Sequence, residues 1–276
     1  MMDRQTLCVA FDGHQVVVRS DAPEVLVGIE RIFRQMLEPE PTRIVGHFEV
    51  YGENDKYHLC GGRADDAGSR SLPDVLIRLK YKVIRHLIQA RPDLLWFHAG
   101  AAAHGGHAVL FLGGCGQGKS TLVTGLCALG WGYLADDAVP LDTSSGEVFP
   151  FPQAPRVRED AGHVVLPEHL SQLHRNAVDL DSTMVCREAV PVAALVFPTY
   201  DPRAPTELVP YPPAAATLEL LQHSVNFKDH RETAVRSLCK LVSRWRTFRL
   251  SFSDGELAAR TVAQACQNWR QDDGLV

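Results

Sequence analysis

The chain has 276 residues, 45% of them apolar and 22% charged, with a formal net charge of −5 and a pI near 6.2. That length holds one large domain or two modest ones, and the acidic balance argues against a nucleic-acid-binding surface. No apolar run approaches the roughly 18 residues of a membrane span, no charged-then-apolar leader opens the chain, and seven scattered cysteines form no Cys-x-x-Cys pair. A reduced protein of the cytoplasm, with no membrane and no nucleic acid as partner, is the expectation.

Residues 7–19 alternate around Asp12-Gly13 and read as a hairpin. Val25, Ile29, Ile32, Phe33 and Met36 recur at helical spacing over 23–37, and Pro39 and Pro41 end that pattern. Strands are expected over 44–51 and 56–60, then a polar loop over 61–70. Leu76, Leu79, Val83 and Leu87 predict a helix over 72–90, closed by Arg91-Pro92. Residues 1–93 thus form a small α/β region ahead of a second domain, 94–276.

In that second domain, 96–99 read as a short strand and Gly105-Gly106 as a turn into an apolar strand at 108–112. A helix carrying Leu122, Leu126 and Leu129 stops at Gly130, and a strand over 131–135 ends in Asp136-Asp137. Residues 138–160 suggest short strands and turns, and 161–188 are polar and irregular. A strand over 192–197 leads into a proline-rich loop, 198–213. Helices over 214–224 and 230–243, a strand over 248–252 and a helix over 254–268 complete the chain. Arg244, Arg246 and Arg249 surround Trp245 and read as a solvated helix end.

Between the strand at 108–112 and the helix that follows, residues 113–120 read Gly-Gly-Cys-Gly-Gln-Gly-Lys-Ser. This satisfies Gly-x-x-x-x-Gly-Lys-[Ser/Thr] in the strand, loop and helix order that a phosphate-binding loop requires. Glycines allow successive N–H groups to turn inward, and the helix N-terminus adds partial positive charge. The expected nucleotide-binding residues are Gly113, Gly114, Cys115, Gly116, Gln117, Gly118, Lys119, Ser120 and Thr121. Lys119 can reach the β- and γ-phosphates, and the Ser120 hydroxyl can hold Mg²⁺.

The acidic pair comes only seventeen positions after Lys119, on the strand directly following the loop helix. Beside phosphates, one carboxylate can hold Mg²⁺ with Ser120 while the other accepts the proton of an attacking hydroxyl. Asp136 is favoured as base and Asp137 as metal ligand, with the reverse allocation open. His98, at a strand end, can orient or activate the Asp136 carboxylate.

His98, the loop, and Ala135-Asp136-Asp137 together resemble the catalytic domain of HPr kinase/phosphorylase, a bacterial serine kinase. Val196 to Tyr200 (Val-Phe-Pro-x-Tyr) and Ser224 to Phe227 (Ser-x-Asn-Phe) look like the HPr kinase-related kinase subgroup. The resemblance spans about residues 94–255. Arg156 and Arg158 read either as a solvated surface pair or, as the resemblance implies for basic residues after Pro-Phe-Pro, as candidates to stabilise charge on the transferred phosphoryl group. Cys115 stands where the true HPr kinases commonly carry serine, and no Glu-Ile-Arg-Gly-Leu-Gly-like signature is legible.

The resemblance implies a phosphoenolpyruvate-carboxykinase-like P-loop core, a mixed sheet with flanking helices. It further implies an ATP- and Mg²⁺-dependent kinase acting on Ser or Thr of a protein or peptide in a peptide-modification system. A small peptide-binding chaperone as partner and assembly into a homo-oligomer belong to the same expectation. Two alternatives stay open: a small-molecule kinase on the same core, and a nucleotide-binding regulatory or assembly module without turnover. No base-specificity motif separates ATP from GTP.

Overall fold

The computed structural model describes residues 5–40, 43–54, 56–61, 69–155, 172–173, 177–178 and 180–272. Contacts divide the chain into two units, Met1–Pro92 and Asp93–Val276. Each contains a mixed sheet with helices, the α/β class expected.

In the first unit, β1 (Gln5–Phe11) and β2 (His14–Ser20) form the expected hairpin. Asp12 and Gly13 both take positive φ, 45° and 74°, as a two-residue Asp-Gly hairpin turn requires. The helix α1 (Pro23–Phe33) crosses to β3 (Arg43–Glu53), which lies parallel to β2. β4 (Lys56–Cys60) returns antiparallel, and α2 (Leu72–Ala90) ends the unit. Val25, Ile29 and Phe33 of α1 and Val75, Leu79, Val83 and Leu87 of α2 are buried, one apolar stripe per helix.

The second unit opens with β5 (Leu95–Phe97), β6 (Ala99–His104), β7 (His107–Leu112), α3 (Lys119–Ala128), β8 (Gly132–Asp136), β9 (Val139–Asp142) and β10 (Glu147–Val148). A short pair, β11 (Gln172–Leu173) and β12 (Ala177–Val178), precedes β13 (Val190–Tyr200) and β14 (Glu207–Pro210). Then come α4 (Pro213–Gln222), α5 (Phe227–His230), α6 (Glu232–Val242), β15 (Arg246–Phe252) and α7 (Gly255–Asp272). Nine strands form one sheet in the order β5-β9-β10-β13-β7-β6-β8, with β15 on β13 and β14 on β15.

Strand direction in this sheet gathers several strand ends at one edge. β13 is parallel to both β7 and β15, while β6 runs against β7 and β8. β8, β7, β13 and β15 therefore all end at one sheet edge, at Asp136, Leu112, Tyr200 and Phe252. The inverted strand β6 begins there, directly after His98. Crevices outside the carboxyl ends of parallel strands are where open α/β sheets bind ligands.

Three details differ from the sequence expectation. Residues 95–104 form two strands broken at His98, and the second, Ala-Gly-Ala-Ala-Ala-His, is a buried inner strand. Alanine and glycine have weak strand propensity, but α3 packs over this strand. A Cβ on Gly100 would lie 2.8 Å from Val123 Cγ2, so small residues are what the helix permits. Residues 207–210 pair with β15 inside the expected loop. Arg246 and Arg249 lie on β15 rather than at a helix end; Arg249 bonds Tyr211 and Glu219 and stacks over the Tyr211 ring at 4.2 Å.

Candidate active site

The glycine-rich segment connects β7 to α3. Gly116 and Gly118 take φ of 84° and 87°, a region where a Cβ is strained. Gly118 is the N-cap of α3, and a Cβ there would meet the Phe252 ring at 2.4 Å. Conformation and space thus both require glycine. Gly114, Cys115 and Gly116 are exposed, Gln117, Gly118 and Ser120 half-buried, and Gly113, Lys119 and Thr121 buried. Four N–H groups of a helix's first turn lack intrahelical partners, so this open loop leads into a concentration of donors.

Lys119 lies folded back over the loop, with Nζ donating to the Gly113 carbonyl at 2.7 Å and the Gly114 carbonyl at 3.1 Å. Burial lowers its ammonium from the ordinary lysine range, while attraction to Asp136, Asp137 and Cys115 opposes that shift. An anion seated on the loop would offer this buried charge a stronger partner than two carbonyls.

Asp136 ends β8 opposite Gly100 of β6 and is 1% exposed. A Cβ on Gly100 would lie 3.5 Å from Asp136 Oδ1 and 3.7 Å from the Lys119 carbonyl. The carboxylate therefore lies beside Gly100, on the side of β6 that also faces the first turn of α3. Behind it, the Gln153 side chain donates to the Asp136 carbonyl and Tyr133 Oη donates to the Gln153 carbonyl at 2.6 Å. Burial, with the Asp136 charge adding to it, raises the Tyr133 phenol well above its ordinary range, so it remains a donor.

Asp137 is half-buried and takes φ of 67°, unusual for a residue other than glycine. His98 Nδ1 lies 3.1 Å from the Asp137 carbonyl. That carbonyl can only accept, so Nδ1 carries a proton and donates to it. His98 thus engages the backbone of the acidic pair.

Gln153 and His223, at this edge, carried no signal in the sequence. Gln153 looked like part of an irregular proline-rich stretch. His223, at the end of α4, accepts at its carbonyl the His98 N–H, 2.8 Å away. Its imidazole is lowered by burial and by Lys119, with Glu219 opposing and His98 adding. The Asn226 side chain accepts from the Trp96 N–H and donates to the Leu94 carbonyl, each at 2.9 Å. The Ser-x-Asn-Phe segment thereby aligns with the strand that presents His98. Arg156 and Arg158 lie outside the described residues.

Among the described residues, no group of three or more His, Cys, Asp or Glu side chains gathers as a metal site. Mg²⁺ needs less, commonly one or two carboxylates together with substrate phosphates. The oxygen donors of Ser120 and the acidic pair suit that ion, and Gly100 has both the Asp136 carboxylate and the first turn of α3 as neighbours.

No known protein-family profile matches this chain. No curated protein matches it. Among solved structures, the Hpr(Ser) kinase/phosphatase from Coxiella burnetii is similar over 65% of this chain and 98% of its own, with 12% identity and a TM-score of 0.35. Likeness at that level leaves the site's own residues as the ground for a functional reading. Among the described residues, no helix is long and apolar enough to cross a membrane.

Proposed function

We propose that this protein is an ATP- and Mg²⁺-dependent phosphotransferase that moves the γ-phosphoryl group to a hydroxyl of Ser or Thr in a protein or peptide. The observation that carries this reading is the meeting of an open glycine loop, Lys119, the Asp136-Asp137 pair and His98 at one sheet edge. The acceptor class comes from the sequence resemblance, as do a small peptide-binding chaperone partner and a homo-oligomeric state. Exposed Cys60, Cys115 and Cys239 suit the reducing cytoplasm.

Bound Mg²⁺ would neutralise phosphate charge, and Ser120 with one carboxylate of the pair, Asp137 by preference, would hold it. Loop N–H groups and Lys119 orient the triphosphate across the N-terminus of α3. Asp136 takes the proton from the acceptor hydroxyl as the new O–P bond forms and the bond between the γ-phosphorus and ADP breaks. His98 holds the acidic turn through the Asp137 carbonyl, keeping the carboxylates at the phosphate end of the cradle.

Purified protein, Mg²⁺ and γ-labelled ATP should transfer label to a hydroxyl acceptor in a pool of lysate proteins and peptides, and Asp136→Asn should not. Label on a small molecule alone would replace the acceptor class. Nucleotide binding without movement of label would instead identify a binding module.

A further inference from the structure

We infer that the exposed face of Tyr200 is the platform for the base of the bound nucleotide, an assignment that rests on the nucleotide-binding reading above. The site has two ends. On one side of the glycine loop, β6 and β8 carry His98, Asp136 and Asp137. On the other, β13 and β15 end at Tyr200 and Phe252.

A triphosphate lying across the loop has a reacting end and a nucleoside end. Chemistry requires the γ-phosphoryl group to face the carboxylates, so the nucleoside leaves the loop toward β13 and β15. Gly113 borders that side directly, since a Cβ there would lie 3.3 Å from the Pro198 carbonyl.

Tyr200 is built into this flank. Its N–H donates to Gln117 Oε1 at 3.1 Å, tying the end of β13 to a side chain of the glycine loop. Its ring meets the Phe252 ring at a centroid distance of 5.7 Å and an interplanar angle of 65°. Phe252 is itself buried against Gly118. The ring is thus located relative to the loop through two connections, yet 40% of the residue remains exposed.

An aromatic face held beside a phosphate cradle offers what a base needs, because every base has a π-face to stack. The neighbouring Asp201 carboxylate accepts from the Arg203 N–H at 2.9 Å within its own turn. Stacking of this kind takes adenine and guanine alike.

Calorimetric titration of the full chain with MgATP, MgGTP and inorganic tripolyphosphate, using wild type, Tyr200→Ala and Tyr200→Phe, tests the assignment. Tyr200→Ala should weaken both nucleotides by about tenfold or more, the scale of one lost base stack. It should leave tripolyphosphate within about twofold, and Tyr200→Phe should bind all three like wild type. Unchanged nucleotide affinity in Tyr200→Ala would overturn the platform, as would an equal loss for tripolyphosphate, which would mean that the Tyr200 ring acts only by shaping the loop through Phe252 and Gly118. Wild-type protein that binds none of the three would remove the nucleotide reading itself, and the platform with it.

Discussion

Gly100 and Asp136 face each other across the β6–β8 ladder, and the missing side chain of the first is the space beside the carboxylate of the second. One backbone pairing thus couples packing of α3 to placement of the acidic group.

Gly100→Ala should therefore damage both. Its methyl would stand 2.8 Å from Val123 Cγ2, and overpacking of that kind costs about 1–3 kcal/mol. Thermal denaturation should show a lowered midpoint, and phosphoryl transfer should fall further than loss of folded protein explains. A variant with wild-type stability and turnover would contradict the close packing.

The two aspartates should separate by assay. With Asp136 as base, Asp136→Asn retains MgATP binding while transfer falls by about 10²–10⁴-fold, the span of general-base catalysis. Asp137→Asn should instead raise the Mg²⁺ concentration needed for half-maximal rate. If the two phenotypes are exchanged, the roles are exchanged as well.

His223 gives a pH signature. Its imidazole is held below the ordinary value by burial and Lys119, so between that lowered value and about pH 6.5 the unfolded chain binds a proton that the folded chain does not. Stability from this residue is complete above that window and declines as pH falls through it. Thermal melts from pH 7 to 5 should show a shallower decline for His223→Asn than for wild type; parallel declines would refute the assignment.

Thiol chemistry should report on the loop. Cys115 is exposed, whereas burial pushes the buried Cys127 thiol up to about 12. Iodoacetamide near pH 8 should label Cys115 and spare Cys127 in native protein, and MgATP should slow the labelling of Cys115. Mass spectrometry of the digested protein distinguishes the two sites.

Asn226 should prove structural. Replacing it with alanine leaves the Trp96 N–H without its side-chain partner and the Leu94 carbonyl with His230 Nε2 alone, 3.1 Å away, a loss of about 1–3 kcal/mol if the N–H finds no other acceptor. Chemical denaturation should register that loss. On the proposed function, a folded Asn226→Ala protein should still bind nucleotide, because the residue supports β5 rather than the glycine loop.

Much of this architecture was legible because it is local. Asp12-Gly13 specifies its own turn, the stripe from Leu76 to Leu87 marks the buried face of α2, and the run of residues 113–120 carries its loop geometry in its glycines. Propensity failed at β6, where Ala-Gly-Ala-Ala-Ala becomes an inner strand because α3 needs the room. It failed again at 207–210, whose strand character comes from pairing with β15, a partner some forty positions away in the chain.

The candidate residues divide along the same line. Lys119, Ser120, Asp136 and Asp137 could be named from spacing, since the order of strand, loop, helix and strand fixes which residues reach the sheet edge. Gln153 and His223 could not, and Asn226 and Tyr200 stood out only within Ser-x-Asn-Phe and Val-Phe-Pro-x-Tyr without a role, because their chemistry depends on neighbours brought near by folding: the Asp136 carbonyl, the His98 N–H, the Trp96 N–H and the Gln117 side chain. Local pattern determined where a phosphate could sit. The placement of what surrounds it was decided by long-range pairing of β6, β13 and β15, because hydrogen bonds and packing between segments far apart in the chain leave no periodicity to read.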